Sequence, residues 1–442
     1  MKDTIAAIAT ALQEGAISIV RLSGPESLAI ADRLFSRDVL NQPSHTVAYG
    51  FIRDPLREVV VDEVLVTVFR APRSFTREDV VEISGHGGRM VTRKILSLCL
   101  GEGARLAQPG EFTRRAFLNG RIDLTQAEAI MDIIKADCEP GVRMAIQGIR
   151  GSVRQLIEPL TEQLLQIIAN IEVNIDYPEY EDAQQLTWQT VLPQARQWLV
   201  QIDQILQRAE SGRVMKNGVK TVILGKPNVG KSSLLNALLE EEKAIVTEIE
   251  GTTRDLVEGE IHLDNVTLHL IDTAGIRKTE DRVEQIGIER SMQAMEEAEL
   301  ILVVLDASQP LDAQDEALLT MTEGRQRIVL YNKKDQVDHV EGLAISARDK
   351  DIGALIEEIN RRYEHHHAML DQPTLASERQ IALARQARQH MAEAVAQLQA
   401  GAELDLVTID LQAAYTALKD IVGETSREDL LDALFSQFCL GK

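Results

Sequence analysis

Three cysteines in 442 residues, Cys99, Cys138 and Cys439, are too few and too widely spaced for a disulfide framework or a zinc cluster. A reducing compartment is expected. Basic residues are in deficit: 47 Lys and Arg face 69 Asp and Glu, a formal charge of −22. A surface of that average sign repels phosphate backbones, which excludes generic nucleic-acid binding and leaves room for a local basic patch only. Long apolar runs are missing as well. The stretch from Ile5 to Val20 is interrupted by Gln13, Glu14 and Gly15 and preceded only by Lys2, so neither a secretory signal nor a membrane span is expected. Proline is sparse at 12 residues, glycine stands at 27, and with 44% hydrophobic and 26% charged residues the composition falls outside the disordered range. The absence of internal repeats sets aside solenoids and propellers. The expectation is a cytoplasmic protein, folded throughout, with about three domains at roughly 150 residues each.

Punctuation divides the chain. From Ala16 to about Gly120 short apolar segments (Ile17 to Leu22, Val59 to Phe69, Val80 to Ile83) and a longer run from Met90 to Leu100 alternate with Gly, Pro and charged breaks, predicting a mixed α/β domain over 1–119. Beyond Gly120 the texture changes. Apolar residues from Ile130 through Ile146, Val153, Ile157, Leu160 and Leu164 to Ile168 recur at three- and four-residue spacing. An acidic stretch, Asn174 to Asp182, then precedes a second helical run from Thr187 to Glu210, so residues 120–212 read as long amphipathic helices. Between 213 and 375 strand, loop and helix patterns repeat, with apolar β-rich cores at Thr221 to Leu224, Ile301 to Leu305 and Ile328 to Tyr331. Such cores belong to a parallel sheet buried on both faces. Helical texture resumes over 376–442, where Ser426 and Asp429 form a capping pair for a last helix. The expected fold is a small mixed α/β domain, followed by a discontinuous all-α domain into which an α/β domain with a doubly wound, mainly parallel sheet is inserted.

The strongest chemical signal is Gly225-Lys226-Pro227-Asn228-Val229-Gly230-Lys231-Ser232, between a predicted strand and the helical Ser233 to Leu239. A glycine-rich turn there lets backbone N–H groups converge on phosphate at a helix N-terminus; Lys231 adds charge and the Ser232 hydroxyl ligates magnesium. The inserted domain is therefore expected to be a Ras-like P-loop domain. Asp272-Thr273-Ala274-Gly275 follows the strand Thr267 to Ile271, placing a carboxylate where it holds magnesium through water and a glycine N–H where it senses a γ-phosphate. Asn332-Lys333-Lys334-Asp335 ends another strand. Asp335 can accept from both N1 and the exocyclic amine of guanine, donors that adenine does not present together, so GTP is the expected nucleotide. Ser346-Ala347-Arg348 would complete the base pocket through backbone N–H groups. In Gly251-Thr252-Thr253-Arg254-Asp255, Thr253 is the chosen second magnesium ligand.

Ile276 stands where Ras-like enzymes carry the glutamine that orients the attacking water, so another group must do that work. Glu284 can hold such a water, or can act as a partner for a helix dipole. Asn228 can offer its oxygen to a monovalent cation beside the phosphates, supplying the charge of an arginine finger, or can simply tolerate a tight turn. Arg70 to Arg121 holds ten basic residues against five acids and is either a patch facing RNA or an anionic cofactor, or a solvated mixed surface. His365-His366-His367 lacks clustered partners and reads as surface. Cys439, in the terminal Phe438-Cys439-Leu440-Gly441-Lys442, is either a nucleophile or part of a tail anchored by Phe438 and Leu440.

Taken together, the inserted guanine-nucleotide motifs, Ile276, Asn228 and the terminal Phe-Cys-Leu-Gly-Lys resemble the bacterial MnmE (TrmE) family of tRNA modification GTPases. Gly85-His86-Gly87-Gly88, Pro109-Gly110-Glu111-Phe112-Thr113, Arg115-Ala116-Phe117-Leu118-Asn119 and Asp123-Leu124-Thr125-Gln126-Ala127-Glu128-Ala129 carry the resemblance over nearly the whole chain. It implies a homodimer formed through a folate-binding domain at 1–119, a GTPase domain at 213–375 and hydrolysis activated by potassium. The family's potassium ligands map onto Asn228, Thr247, Ile249 and Thr252, its magnesium ligands onto Ser232 and Thr253, and its water-positioning acid onto Glu284. Nucleotide contacts are expected to extend through Val229, Gly230, Lys231 and Ser233 and through Glu248, Glu250 and Gly251. The expected catalytic residues are Lys231, Glu284 and Cys439. Contacts to a 5-formyl- or methylene-tetrahydrofolate map onto Arg21, Glu82, Arg121 and Lys442, where the cations suit a glutamate tail and Glu82 accepts from the pterin. Two departures stand out: Arg121 replaces a common lysine, and Ala11-Leu12-Gln13-Glu14-Gly15 lacks the usual Pro and Gly. Family members work with a flavin-dependent partner of the MnmG or GidA type to place an aminomethyl or carboxymethylaminomethyl group at C5 of the wobble uridine of certain tRNAs. The competing reading, a ribosome-assembly or regulatory GTPase acting as a nucleotide-dependent binding switch, needs only the G motifs.

Overall fold

A computed structural model describes residues 3–136, 139–176, 190–239, 257–271, 295–367, 372–425, 428–436, 438 and 441. These form two compact units, one of 1–131, 149–195 and 386–442, the other of 132–148 and 196–385. No helix among the described residues is long and apolar enough to cross a membrane.

In the first unit, β1 (Ile5–Ile8), β2 (Gly15–Ser23), β3 (Thr46–Asp54), β4 (Val59–Phe69), β5 (Val80–Gly87) and β6 (Arg105–Leu106) form a sheet in the order β3-β4-β5-β2-β1-β6. Its pairings are antiparallel apart from β1 with β6. Alternation assigns each face. Val20, Leu22, Val64, Val66, Val81 and Ile83 enter a core shared with Ile30 and Leu34 of the helix Ser27–Leu34 and with Ile95 and Cys99 of Arg89–Gly101. Burial pushes the Cys99 thiol up to about 12, so it is an inert packing group. On the opposite face Phe112 and Phe75 pack over Ile5 and Ala7 at the β1 end. At the β3 end Val47, Tyr49, Phe51 and Leu65 stay exposed.

A buried cation ties β1 to the helix Glu111–Leu118. Arg115 has no solvent exposure; its Nη1 donates to Asp3 O at 2.9 Å and its Nη2 to Asp3 Oδ1 at 2.9 Å. Glu78 and Glu111 carboxylates lie 3.1 Å from the same guanidinium. Arg105 pairs with Asp3 and Glu111 from the other side.

The periodic stretch after Gly120 divides into Leu124–Lys135, Glu139–Ile149 and Ser152–Asp176 rather than forming one run. Gly151, at φ +85°, turns the chain before the last of these. Val153, Ile157, Leu160, Leu164 and Ile168 are buried, and this helix packs on Leu404–Val422, whose Val407, Leu411, Ala414, Leu418 and Ile421 are buried at matching spacing. Leu431, Phe435 and Phe438 close a further cluster with Leu124, Ala127 and Met131. The Ser426–Asp429 capping pair lies outside the described side chains, as does most of the acidic stretch 174–182.

In the second unit, β7 (Val219–Leu224), β8 (Val257–His262), β9 (Thr267–Ile271), β10 (Leu300–Asp306), β11 (Arg327–Asn332) and β12 (Leu343–Ala344) lie in the order β12-β11-β10-β7-β9-β8. Only β8 with β9 is antiparallel. Leu300, Leu302 and Val304 of β10 pack with Leu234 and Leu238 of the helix Lys231–Leu239 and Leu355 and Ile359 of Gly353–His367. Ile301, Val303 and Leu305 face the other way, toward Leu318 and Leu319 of Ala313–Met321. Helices on both faces make the sheet doubly wound, as expected. The helix expected to end at Glu210 runs from Leu192 to Asn217, and Gly218, at φ +68°, leads straight into β7.

Candidate functional site

The described nucleotide motifs, 225–232, 332–335 and 346–348, gather at the carboxyl edge of the second sheet, where a doubly wound fold places its ligands. β7 ends at Leu224, the loop 225–230 follows, and Lys231 opens a helix. Two residues of the loop take left-handed backbone, Asn228 at φ +63° and Gly230 at φ +98°. A Cβ on Gly230 would sit 2.1 Å from Asn332 Nδ2, so only glycine fits there. Lys231 Nζ donates to Gly225 O and Lys226 O, each at 2.7 Å, and burial pushes its ammonium below the usual lysine value. A cation held by carbonyl oxygens and stripped of water favours an incoming anion. Ser232 and Ser233 are exposed on the first turn, hard oxygen donors of the kind magnesium takes.

Asn332 bridges two loops. Its Nδ2 donates to Val229 O at 2.8 Å and its Oδ1 accepts from the Ala347 N–H at 2.9 Å. Lys333, at φ +69°, pairs with Asp306 at 2.6 Å, and Lys334 with Asp351 at 3.1 Å. Asp335 is exposed and accepts from Ser346 Oγ at 2.8 Å. The Ser346 N–H donates to Asp351 O at 3.0 Å, so the amides of Ser346 and Ala347 are both engaged by protein and fix the loop that carries Arg348. Sequence reading missed Lys226, whose Nζ lies 2.7 Å from Asp312 and 2.6 Å from Asp315, fastening the phosphate loop to the start of a helix. The spacing Asp312-x-x-Asp315 was the available signal, a capping box the structure contains.

In the first unit, Arg21 and Glu82 are direct cross-strand partners, with Arg21 Nη2 2.7 Å from Glu82 Oε1. Arg21 lies over the Phe112 ring at 5.7 Å, and Arg121 over the Phe75 ring at 4.9 Å. Phe112 and Phe75 belong to one cluster, so the two cations flank a single aromatic platform. Arg121 lines a cavity of about 530 Å³ with Arg73, Arg77, Phe69 and His45. Burial and the neighbouring Arg77 both disfavour its charge. Such a setting fits a flat ligand carrying negative charge. The rest of the basic stretch is largely spent internally: Arg70 caps Leu40 and Gln42 carbonyls, Lys94 pairs with Asp54, and Arg105 and Arg115 hold Asp3.

The carboxyl-terminal tail reaches this platform. Arg21 Nη1 donates to Gly441 O at 3.3 Å, and a Cβ on Gly441, at φ +93°, would meet Ile8 O at 2.3 Å. Gly441→Ala is expected to cost about 1–3 kcal/mol of tail docking. Hydrogen exchange over 428–441 would accelerate; unchanged protection would show that the tail is held elsewhere. The expected site residues Thr247, Glu248, Ile249, Glu250, Gly251, Thr252, Thr253, Asp272, Thr273, Ala274, Gly275, Glu284, Cys439 and Lys442 lie outside the described residues, as do Cys138 and the side chains of His365–His367.

Comparison with known proteins agrees with this arrangement. The family description "GTP-binding protein TrmE N-terminus" matches residues 4–121 and "MnmE helical domain" matches 124–439. A tRNA modification GTPase MnmE of Streptococcus pneumoniae is 47% identical over 451 aligned positions, covering 100% of this chain and 99% of that one. Its counterpart from Geobacillus thermodenitrificans is 48% identical over 458 positions, with the same coverage. A solved structure of Era from Aquifex aeolicus, bound to GDP and aluminium fluoride, is similar over 39% of this chain and 67% of that one, at 25% identity and a TM-score of 0.26. With both family descriptions matched and full-length relatives at nearly half identity, the chain belongs to the MnmE (TrmE) family of tRNA modification GTPases.

Proposed function

We propose that this chain is the GTP-hydrolysing, folate-binding component of a system that modifies C5 of the wobble uridine in certain tRNAs. It works with a flavin-dependent partner of the MnmG or GidA type, which adds an aminomethyl or carboxymethylaminomethyl group. The observation that carries the folate reading is the single guanidinium of Arg21, which bonds Glu82, covers Phe112 and holds the tail at Gly441. Arg21, Arg121 and the terminal Lys442 would bind the acidic tail of a tetrahydrofolate derivative, with Glu82 accepting from its pterin. When bound, the folate supplies the one-carbon unit. Cys439 of the carboxyl-terminal tail is the candidate thiol for the uridine chemistry. The exposed Val47, Tyr49, Phe51 and Leu65, on the same sheet face as Arg21, support a homodimer through the domain 1–119.

In the GTPase domain (213–375), inserted between helical segments 120–212 and 376–442, Lys231 and the loop amides would cradle the phosphates and Ser232 with Thr253 would ligate magnesium. Asp335, Asn332 and the loop at Ser346–Arg348 would hold guanine, and Asp272 and Gly275 would meet the γ-phosphate side. Asn228 sits exposed at the loop tip, its oxygen available to potassium together with Thr247, Ile249 and Thr252. An ion held there would supply positive charge beside the phosphoryl group, and Glu284 would position the attacking water.

The test is GTP hydrolysis in matched potassium and sodium buffers. Potassium is expected to stimulate the wild type strongly, Asn228→Ala to lose that stimulation, and Glu284→Ala to lose hydrolysis while keeping GTP binding. A loss of about 10²–10³-fold is expected for the glutamate variant, the usual scale for a group acting on the transition state. Equal rates in both salts would remove the cation from the mechanism and favour a nucleotide-dependent binding switch.

A further inference from the structure

Apart from both sites, three donor groups converge between the helices Glu378–Gln399 and Leu404–Val422. His390 and Glu393 are one turn apart on the first helix and Asp410 stands opposite on the second. His390 Nδ1 lies 3.3 Å from Asp410 Oδ1 and 3.6 Å from Glu393 Oε2, and the three donor atoms all fall within 4.8 Å of one another. The shorter of the two is a long hydrogen bond, beyond the range of about 2.7–2.9 Å for charge-assisted ones. The two separations also match the edge of a tetrahedron, about 3.4 Å when metal–ligand bonds are about 2.1 Å.

The outer oxygens are already fixed. Asp410 Oδ2 accepts from Gln397 Nε2 at 2.7 Å, and Glu393 Oε1 accepts from Gln389 Nε2 at 3.0 Å. Each carboxylate therefore has one oxygen anchored by a glutamine amide and the other turned toward the imidazole. That is how outer partners orient metal ligands. Side-chain exposures of 26% for His390, 47% for Glu393 and 17% for Asp410 put the cluster at a rim that water reaches. An imidazole and two carboxylates neutralise a divalent ion and, with no thiolate, suit a first-row transition cation.

We propose that His390, Glu393 and Asp410 bind one divalent transition-metal ion, with zinc as its probe, in a site with a coordination position open to water. The ion joins two helices linked by a short turn and so stiffens a hairpin whose second helix, Leu404–Val422, packs on Ser152–Asp176.

The full chain, stripped of metal by chelation, is titrated with Zn²⁺ by calorimetry and with Co²⁺ by visible absorption. The comparison set is wild type, His390→Ala, Glu393→Gln and Asp410→Asn. Cysteines, the His365–His367 tract and the nucleotide site are common to all four, so the difference between them isolates this cluster. Each ligand variant is expected to bind one equivalent fewer of zinc and to lose the cobalt bands of four-coordinate geometry. Gln397→Ala is expected to weaken binding about tenfold with stoichiometry retained. Circular dichroism identifies any variant that fails to fold, and for such a variant the zinc-dependent rise in the wild-type melting temperature gives the second reading. Equal zinc stoichiometry in wild type and the folded ligand variants, or no zinc-dependent melting shift in the wild type, overturns the proposal and leaves an imidazole hydrogen-bonded beside two carboxylates.

Discussion

Asp335→Asn is expected to weaken GTP binding about 10²- to 10⁴-fold, because two charge-assisted hydrogen bonds to guanine, each worth about 1.5–3 kcal/mol, are lost. The same change should improve binding of xanthosine triphosphate. Xanthine carries a carbonyl where guanine carries its amine, and an asparagine amide can donate to it. The variant should fold. Asp335 is exposed, and its one hydrogen-bond partner among the described residues, Ser346 Oγ, also lies 2.9 Å from Asp349. A hydroxyl has a single proton, so it can turn to Asp349 while the new amide donates to the freed oxygen. Equilibrium binding of fluorescent GTP and xanthosine triphosphate, with melting temperature as the control, decides it. Unchanged GTP affinity would remove Asp335 from base recognition.

Arg115→Ala should be the most destabilising single change in the first unit, costing about 3–5 kcal/mol, the range for removing one partner of a buried ion pair. The guanidinium is fully buried, and its removal takes the shared cation from Asp3, Glu78 and Glu111, leaving Arg105 on Asp3 and Glu111 and no cation on Glu78 among the described residues. Arg115→Lys keeps the charge but not the fork that reaches all three, so it should recover only part of the loss. Acid titration supplies an independent reading. Burial alone would raise the Glu111 carboxyl, but bonds from Arg105, the Gln108 amide and Arg115 outweigh it and hold it below the usual range. Asp3 is lowered chiefly by its bond from Arg105. Carboxylates with a depressed folded pKa contribute fully above their unfolded value, about 4, and lose that contribution as pH falls through the folded value. Stability of the wild type should therefore fall below about pH 4, and the Arg115→Ala variant should show a flatter decline. Chemical denaturation across that range checks both; an equal slope would mean the network does not set acid stability.

Much of the second sheet was legible because its physics is local. All seven residues of β10 are buried, and the six apolar ones, Leu300 to Leu305, alternate between two faces that are both covered, the continuous apolar run expected of a central parallel strand. The phosphate loop was equally readable, since left-handed backbone at Gly230 and a helix opening at Lys231 demand particular residues at fixed spacing. The basic stretch Arg70 to Arg121 was harder. Charge in a sequence does not say whether a side chain meets water or a carboxylate, and the partner of Arg115 and Arg105 is Asp3, about a hundred positions away. The contact of Gly441 with Ile8 was hidden for the same reason. Helix limits failed differently. Ser211 and Gly212 have the composition of a stop, yet Gly212 is inside the helix Leu192–Asn217, where a Cβ would come within 3.0 Å of Thr374 and 3.1 Å of Met144. Periodicity marks which face is buried, not where a glycine is kept for packing.

The side chain of Asn332 joins the carbonyl of Val229 to the amide of Ala347 through one rigid plane. The loop proposed to meet phosphate and the loop proposed to meet the base are thus mechanically joined. Whatever orders one of them lowers the entropy cost of ordering the other, so the two halves of a nucleotide are bound with a coupling free energy that neither fragment would show alone. A nucleoside and a free phosphate chain would each find a looser site than the intact molecule finds, and selectivity for the whole nucleotide over its pieces would reside in the residue that bridges the two loops.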